Sequence, residues 1–309
     1  MPVLSLPSLD LYHELHGPPD APPLVLLHGA TETFRVSWKR LIAPLSARYR
    51  VIGVDLRDTG SRRTRPARWI CARWRTTWRT DSTRSVCRTA HICGFSGGAS
   101  TTLFFGLRHP HRARSLVLIS NNFARDEARL KGDFWSPDAI RQRDALWLKG
   151  MAAWHAVPAE TLLGWWEAED QLRPDFTPAE LAALQMPVLV VGGDRDPVVP
   201  LDQTIRLFQA LPNGQLAILP GVGHGAPHRA ADWLDALLGN FIDGVEAKRT
   251  PRGNRSDESD HGDPSDGRYI HRPVVRGAPR TDPAPERRRQ GGRADGLGPR
   301  REHAGRGIR

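Results

Sequence analysis

Residues 90–100 read Ala90-His91-Ile92-Cys93-Gly94-Phe95-Ser96-Gly97-Gly98-Ala99-Ser100. An apolar run enters a glycine-rich turn, and small residues then lead into Leu103, Phe104 and Leu107. This is G-x-S-x-G between a strand and a helix. A sharp strand-to-helix turn forces the central serine into a strained backbone, and only small neighbours let the flanking segments approach each other. The turn lifts Ser96 Oγ clear of the sheet edge. It also leaves the Gly97 amide at a helix N-terminus, aimed where negative charge would develop on a substrate oxygen.

Outward from this turn, apolar runs alternate with helical patterns. Leu9 to Leu15 alternates apolar and polar residues, as a half-buried strand does. Pro23 to Leu27 and Tyr49 to Val54 are short continuous apolar runs, predicted as buried strands. Ser37 is placed to cap a helix running to about Ser46. A helix is expected from the Ser96 turn to about His109, then a strand over Ser115 to Ile119. Strand character returns at Pro187 to Val191 and Gln215 to Leu219, with helices over Leu201 to Leu211 and about Ala230 to Phe241. This alternation predicts an α/β fold: a mostly parallel central sheet flanked by helices with right-handed crossovers. Residues 121–185 carry Trp135, Trp147, Trp154, Trp165 and Trp166 at helical spacing, so a small helical cap is expected there. The α/β core is then expected over 1–120 and 186–245, with 246–309 as a tail.

The net charge is +10, but it is unevenly spread. Residues 61–89 carry nine Arg and one Asp; residues 247–309 carry fifteen Arg and one Lys against six Asp and three Glu. The remainder of the chain is mildly acidic, which argues against a nucleic-acid-binding body. No stretch approaches the ~18 uninterrupted apolar residues of a membrane helix. The N-terminus lacks a basic segment followed by an apolar one, so no secretory leader is expected. Cys71, Cys87 and Cys93 have no metal-binding spacing and leave one cysteine unpaired, as in a reduced cytoplasmic setting.

Ser96, Asp196 and His224 occur in the order Ser…Asp…His, each just past a predicted strand end, where open α/β sheets gather their reactive groups. Together with His28-Gly29 after an early strand, the pattern resembles the α/β-hydrolase superfamily over about residues 1–245, apart from 61–89. The resemblance implies that Ser96 is the nucleophile, His224 the base and Asp196 its orienting acid. The amides of Ala30 and Gly97 would form the oxyanion hole, with Thr31 as a rival to Ala30. Asp194 competes with Asp196, which is preferred because it sits at the family's G-x-x-D position. His28 is expected to support its turn, His228 to be exposed, and Cys93 to be a core residue.

A serine at position 96, where epoxide-opening and dehalogenating relatives carry an aspartate, implies acyl transfer. The expected substrate is a small ester or lactone; a thioester, an activated C–C bond or perhydrolysis are further options. No metal and no organic cofactor is implied, and no nucleic-acid or membrane partner is expected. Oligomeric state is left open.

Residues 61–89 break the pattern. The family usually shows an acidic, Ala/Leu-rich amphipathic helix there, whereas Trp69, Trp74 and Trp78 are scattered here among Arg and Thr. Length is kept while pattern is lost. Reverse-translated in a shifted frame, Ile70 to Cys87 can spell a helix of the expected type, so a compensated reading-frame shift is a specific hypothesis, decided by sequencing the gene. The alternatives to an active enzyme are an impaired or non-catalytic member of the same fold that at most binds a small ligand, and a basic arm for anionic partners. The tail is rich in Arg, Gly, Pro and Asp and is expected to be disordered.

Overall fold

The computed structural model describes residues 3–6, 9–56, 87–121, 123–124, 136–172 and 175–249. Residues 57–86 and 250–309 lie outside these, and with them most of the expectations for the 61–89 segment and the tail; Trp135 lies outside as well. The described residues all fall in one unit, Met1–Gly253.

The strands are β1 (Val3–Leu6), β2 (Leu9–His16), β3 (Pro23–Leu27), β4 (Arg50–Val54), β5 (Ala90–Phe95), β6 (Ala113–Ile119), β7 (Val188–Gly193) and β8 (Gly214–Leu219). They form one sheet in the order β1-β2-β4-β3-β5-β6-β7-β8. β1 and β2 are antiparallel to their neighbours, and β4 through β8 pair in parallel. β1 was not expected from sequence.

Because both sheet faces are covered, the central strands are apolar over most of their length, with His91 and Ser115 as buried polar exceptions at the amino ends of β5 and β6, and alternation appears as a choice of face. Val25, Leu27, Ile92, Leu116, Leu118 and Val190 pack with Ala99, Leu103 and Phe104 of α3 (Gly97–Arg108). Leu24, Leu26, Cys93, Val117, Ile119 and Val191 face the other way. There they meet Phe34 and Trp38 of α1 (Phe34–Trp38) and Leu234, Leu238 and Phe241 of α9 (Ala231–Arg249).

Two expected boundaries change. The helix predicted from Ser37 to Ser46 is two short helices, α1 and α2 (Ile42–Ser46). Thr33 caps α1, its hydroxyl accepting from the Val36 amide at 3.3 Å, and Ser37 is turned inward instead. The last helix runs four residues past Val245, to Arg249, after the short α8 (Ala226–Arg229).

Between β6 and β7 lie α4 (Pro137–Trp154), α5 (Ala159–Leu172) and α6 (Pro178–Ala182). Ser136 caps α4, and a Thr177–Glu180 capping box starts α6. Ile140, Met151, Leu162, Leu163 and Trp166 form a separate apolar cluster that includes Ala30. α7 (Leu201–Gln209) follows β7.

The chain passes from β3 outward to β4, then returns to the other side of β3 as β5. The loops leaving β3 and β5 therefore diverge and leave a crevice at the carboxyl ends of these strands, as open α/β sheets do at such a switch point. His28 to Thr31 leave β3 there, and Ser96 leaves β5.

Candidate active site

Ser96 has φ +51° and ψ −116°. A non-glycine residue with positive φ is strained, and the surroundings hold it there. Its amide donates to the Ile119 carbonyl at 2.8 Å, and its carbonyl accepts from Ala99 and Ser100 in the first turn of α3. The turn closes only because its flanks lack side chains. A Cβ on Gly94 would lie 2.2 Å from the Gly98 carbonyl oxygen, and one on Gly98 would lie 2.5 Å from the Leu27 and His28 oxygens.

Ser96 Oγ lies 2.9 Å from His224 Nε2. His224 Nδ1 is 2.9 Å and 3.1 Å from the two carboxylate oxygens of Asp196. With Nδ1–H donating to Asp196, Nε2 is left to accept the serine proton. Asp196 is anchored in turn: its Oδ1 accepts from the Val198 and Val199 amides at 2.8 and 2.9 Å. Its side chain is 1% exposed. Burial alone would raise its pKa, but the hydrogen bonds and charge of His224 and the two amides outweigh it and hold it below the usual carboxylate value. Asp194 goes elsewhere, accepting from the Gly221 amide at 2.6 Å. Of the two rival carboxylates, Asp196 is the one that meets the imidazole.

Ala30 and Gly97 lie side by side. A Cβ on Gly97 would come within 3.2 Å of Ala30 Cα and 3.1 Å of the Trp166 ring. The Gly97 amide opens α3, in the first turn, where amides lack intrahelical acceptors. Neither the Ala30 nor the Gly97 amide donates to another group among the described residues. The Thr31 carbonyl is taken by His155 Nε2 at 2.8 Å, a contact from the end of α4.

His28 supports its turn. Nδ1–H donates to the Gly29 carbonyl at 2.7 Å and Nε2 accepts from the Leu56 amide at 2.7 Å. Burial pushes its pKa down, consistent with this neutral double role. Cys93 is buried in β5, where desolvation pushes its thiol well above the ordinary value. His228 is not freely exposed as expected: it pairs with Glu32 at 2.9 Å.

Several supporting groups carried no local sequence signal. Ser120, also at φ +51°, donates to the His224 carbonyl at 3.2 Å. Ser100 donates to Asn121 at 2.9 Å behind the first turn of α3. Each is a common polar residue whose partner is far away in sequence. Among the described residues there is no cluster of three His, Cys, Asp or Glu side chains suited to a metal ion, and no helix long and apolar enough to cross a membrane.

The model of the Alpha/beta hydrolase family matches residues 24–237, which carry every group above. RutD of Caulobacter sp. (strain K31) is 29% identical over 273 residues, covering 77% of this chain and 97% of its own. Carboxylesterase YbfK of Bacillus subtilis (strain 168) is 26% identical over 250 residues, covering 74% and 82%. The crystal structure of the enol-lactonase from Burkholderia xenovorans LB400 superposes with a TM-score of 0.64 at 16% identity, covering 78% of this chain and all of that one. With the strand order, the serine turn and the family match in agreement, the chain belongs to the alpha/beta hydrolase family.

Proposed function

We propose that this protein is a serine hydrolase that cleaves a small ester or lactone through an acyl-enzyme. The observation that carries the reading is the continuous Ser96–His224–Asp196 chain, with both links at 2.9 Å, on a strained serine turn. Ser96 Oγ attacks the substrate carbonyl while His224 Nε2 takes its proton. The Asp196 carboxylate holds the imidazole in the required tautomer and stabilises the imidazolium that forms. The carbonyl oxygen becomes an oxyanion, received by the Ala30 and Gly97 amides. Each such donor is typically worth about 3 kcal/mol of barrier. The tetrahedral species collapses, and His224 returns the proton to the departing alkoxide. A water then attacks the acyl-enzyme, His224 takes its proton, and Ser96 leaves with it. This sequence requires no metal or organic cofactor.

In this reading residues 121–185 act as a cap, supported by Trp166, whose ring stands against Gly97. An ester or lactone substrate is supported by the similarity to a carboxylesterase and by the acyl-transfer geometry. A cytoplasmic location belongs to the same reading.

The test is intact-mass labelling with a fluorophosphonate, on this protein and on Ser96→Ala. A single adduct that disappears in the variant is expected. No adduct on folded protein would refute the reading and leave a non-catalytic member of the fold.

A further inference from the structure

Glu32 is a buried carboxylate that the proposed chemistry does not use. It is 7% exposed, in the loop between β3 and α1. Its Oε1 faces His228 Nε2 at 2.9 Å, and its Oε2 accepts from the Ser37 hydroxyl. Ser37 Oγ in turn accepts the Gly29 amide at 3.1 Å. The Glu32 amide donates to the Gly29 carbonyl at 3.1 Å, the same oxygen that takes His28 Nδ1–H.

The consequence falls on Ala30. The Gly29 carbonyl and the Ala30 amide belong to one planar trans peptide, so they point in opposite directions. Two donors that pin the carbonyl therefore aim the amide. One of those donors is the backbone of Glu32, which is held through its side chain by His228. His228 lies in α8, whose first residue, Ala226, donates its amide to the His224 carbonyl at 2.9 Å. A single pair, bridging residues 196 positions apart, thus ties the loop that presents Ala30 to the segment that carries His224.

We propose that Glu32 and His228 form a latch that registers the Ala30 amide against Ser96 and His224, so that both are positioning residues for the reaction. This rests on the reading of Ser96 as nucleophile and of Ala30 and Gly97 as oxyanion donors.

The charges around the latch are consistent with an ion pair. The Glu32 hydrogen bond and charge raise the His228 pKa, against burial and the Arg229 charge. Burial would raise the Glu32 pKa, but His228, Ser37 and His28 outweigh it and hold it low. Among the described residues, further groups also face the pair. Arg40 donates to the His228 carbonyl at 3.0 Å and reaches Asp232 at 3.7 Å. The Phe95 ring stands edge-on to His228 at 6.2 Å, and His224 packs against the same ring at 5.4 Å. The folded pKa of His228 lies above its unfolded value. The latch is therefore complete below that raised pKa and loses its cation as pH rises through it.

The test compares full-length wild-type protein with Glu32→Gln, His228→Gln and Ser96→Ala. Fluorophosphonate labelling rate, and kcat and KM for p-nitrophenyl acetate, are followed from about pH 6 to about pH 10. Loss of a whole oxyanion donor lowers kcat about 10²–10³-fold, so a displaced one is expected to lower it about 10-fold, with KM within about 2-fold. The wild type should lose efficiency on the alkaline side, and His228→Gln should lose that limb. His228 has a side chain 36% exposed, so its variant keeps the test decisive if Glu32→Gln does not fold. A lowered melting temperature with unchanged kcat, or an alkaline limb that persists in His228→Gln, overturns the latch. An active wild type with both variants unchanged overturns the latch alone. No Ser96-dependent adduct on the wild type overturns the reading of the site, and the latch with it.

Discussion

His224 Nε2 lies 2.9 Å from Ser96 Oγ although the two residues are 128 positions apart. Ser96 follows β5, whereas His224 follows β8, three strands away in the sheet. The loop after β8 must reach back across the carboxyl ends of β7 and β6 to close this contact. Ser120, at the end of β6, holds it there by donating to the His224 carbonyl. Its own backbone is strained at φ +51°.

Ser96→Ala, His224→Ala and Asp196→Asn are each expected to reduce ester hydrolysis by about 10⁴-fold or more, because the three act as one unit. Asp194→Asn weakens a turn contact to Gly221 and removes an ion pair with Arg195 at 3.9 Å, so it should leave activity within about 3-fold, with a loss of stability of at most about 1 kcal/mol. Steady-state kinetics of the four proteins decide this. Equal losses at 194 and 196 would contradict the assignment of the acid.

Gly94→Ala pushes a methyl group against the Gly98 backbone, where the gap is 2.2 Å. Backbone cannot move aside as the end of a side chain can. The expected destabilisation is at least the ~1–3 kcal/mol of core overpacking. A melting curve that matches wild type would show that the turn has more room than the structure gives it.

The amino end of β5 carries a pH-sensitive contact. His91 is buried, with Nδ1 2.8 Å from Ser115 Oγ and Nε2 3.2 Å from Glu246 Oε1. Burial, aided by the Arg114 and Arg249 guanidiniums, pushes its pKa down to about 3. Both guanidiniums also pair with Glu246, which offsets the pull of that carboxylate on the imidazole. An unfolded histidine titrates near ~6.5. The folded value is lower, so this contribution is intact above ~6.5 and is lost as pH falls from there toward 3. Denaturant midpoints measured at steps across this range should fall with acid in the wild type. They should fall less steeply in His91→Gln; identical slopes would remove His91 as the cause.

Ending the chain at Val245 removes Glu246, and Arg249 paired with it at 3.1 Å, and leaves Arg114 without its 2.9 Å contact to Glu246. A lower melting temperature is expected, at about 2–4 °C per kcal/mol lost. Ending it at Arg249 keeps α9 whole and should leave the transition where it is. Two truncations with the same melting temperature would show that the last turn of α9 contributes nothing.

The sequence by itself determined the alternation of strands and helices, the serine turn, and the order in which Ser96, Asp196 and His224 follow strand ends. Those features are local. A strand buried on both faces needs a continuous apolar run such as Pro23 to Leu27, and a strained turn needs glycines within two residues of the serine. Only the tertiary structure decided which polar side chains meet. Asp194 and Asp196 both follow β7 and only the G-x-x-D resemblance prefers Asp196; the loop after β8 gives the first to Gly221 and the second to His224. Ser37 is a plausible cap by pattern, yet it serves Gly29 and Glu32 because the chain turns at Thr33. His228 meets Glu32, and His155 meets Thr31, across 196 and 124 positions. Backbone preference is settled by a few neighbouring residues, whereas a hydrogen-bond partner is settled by which crossovers bring distant loops to the same end of the sheet.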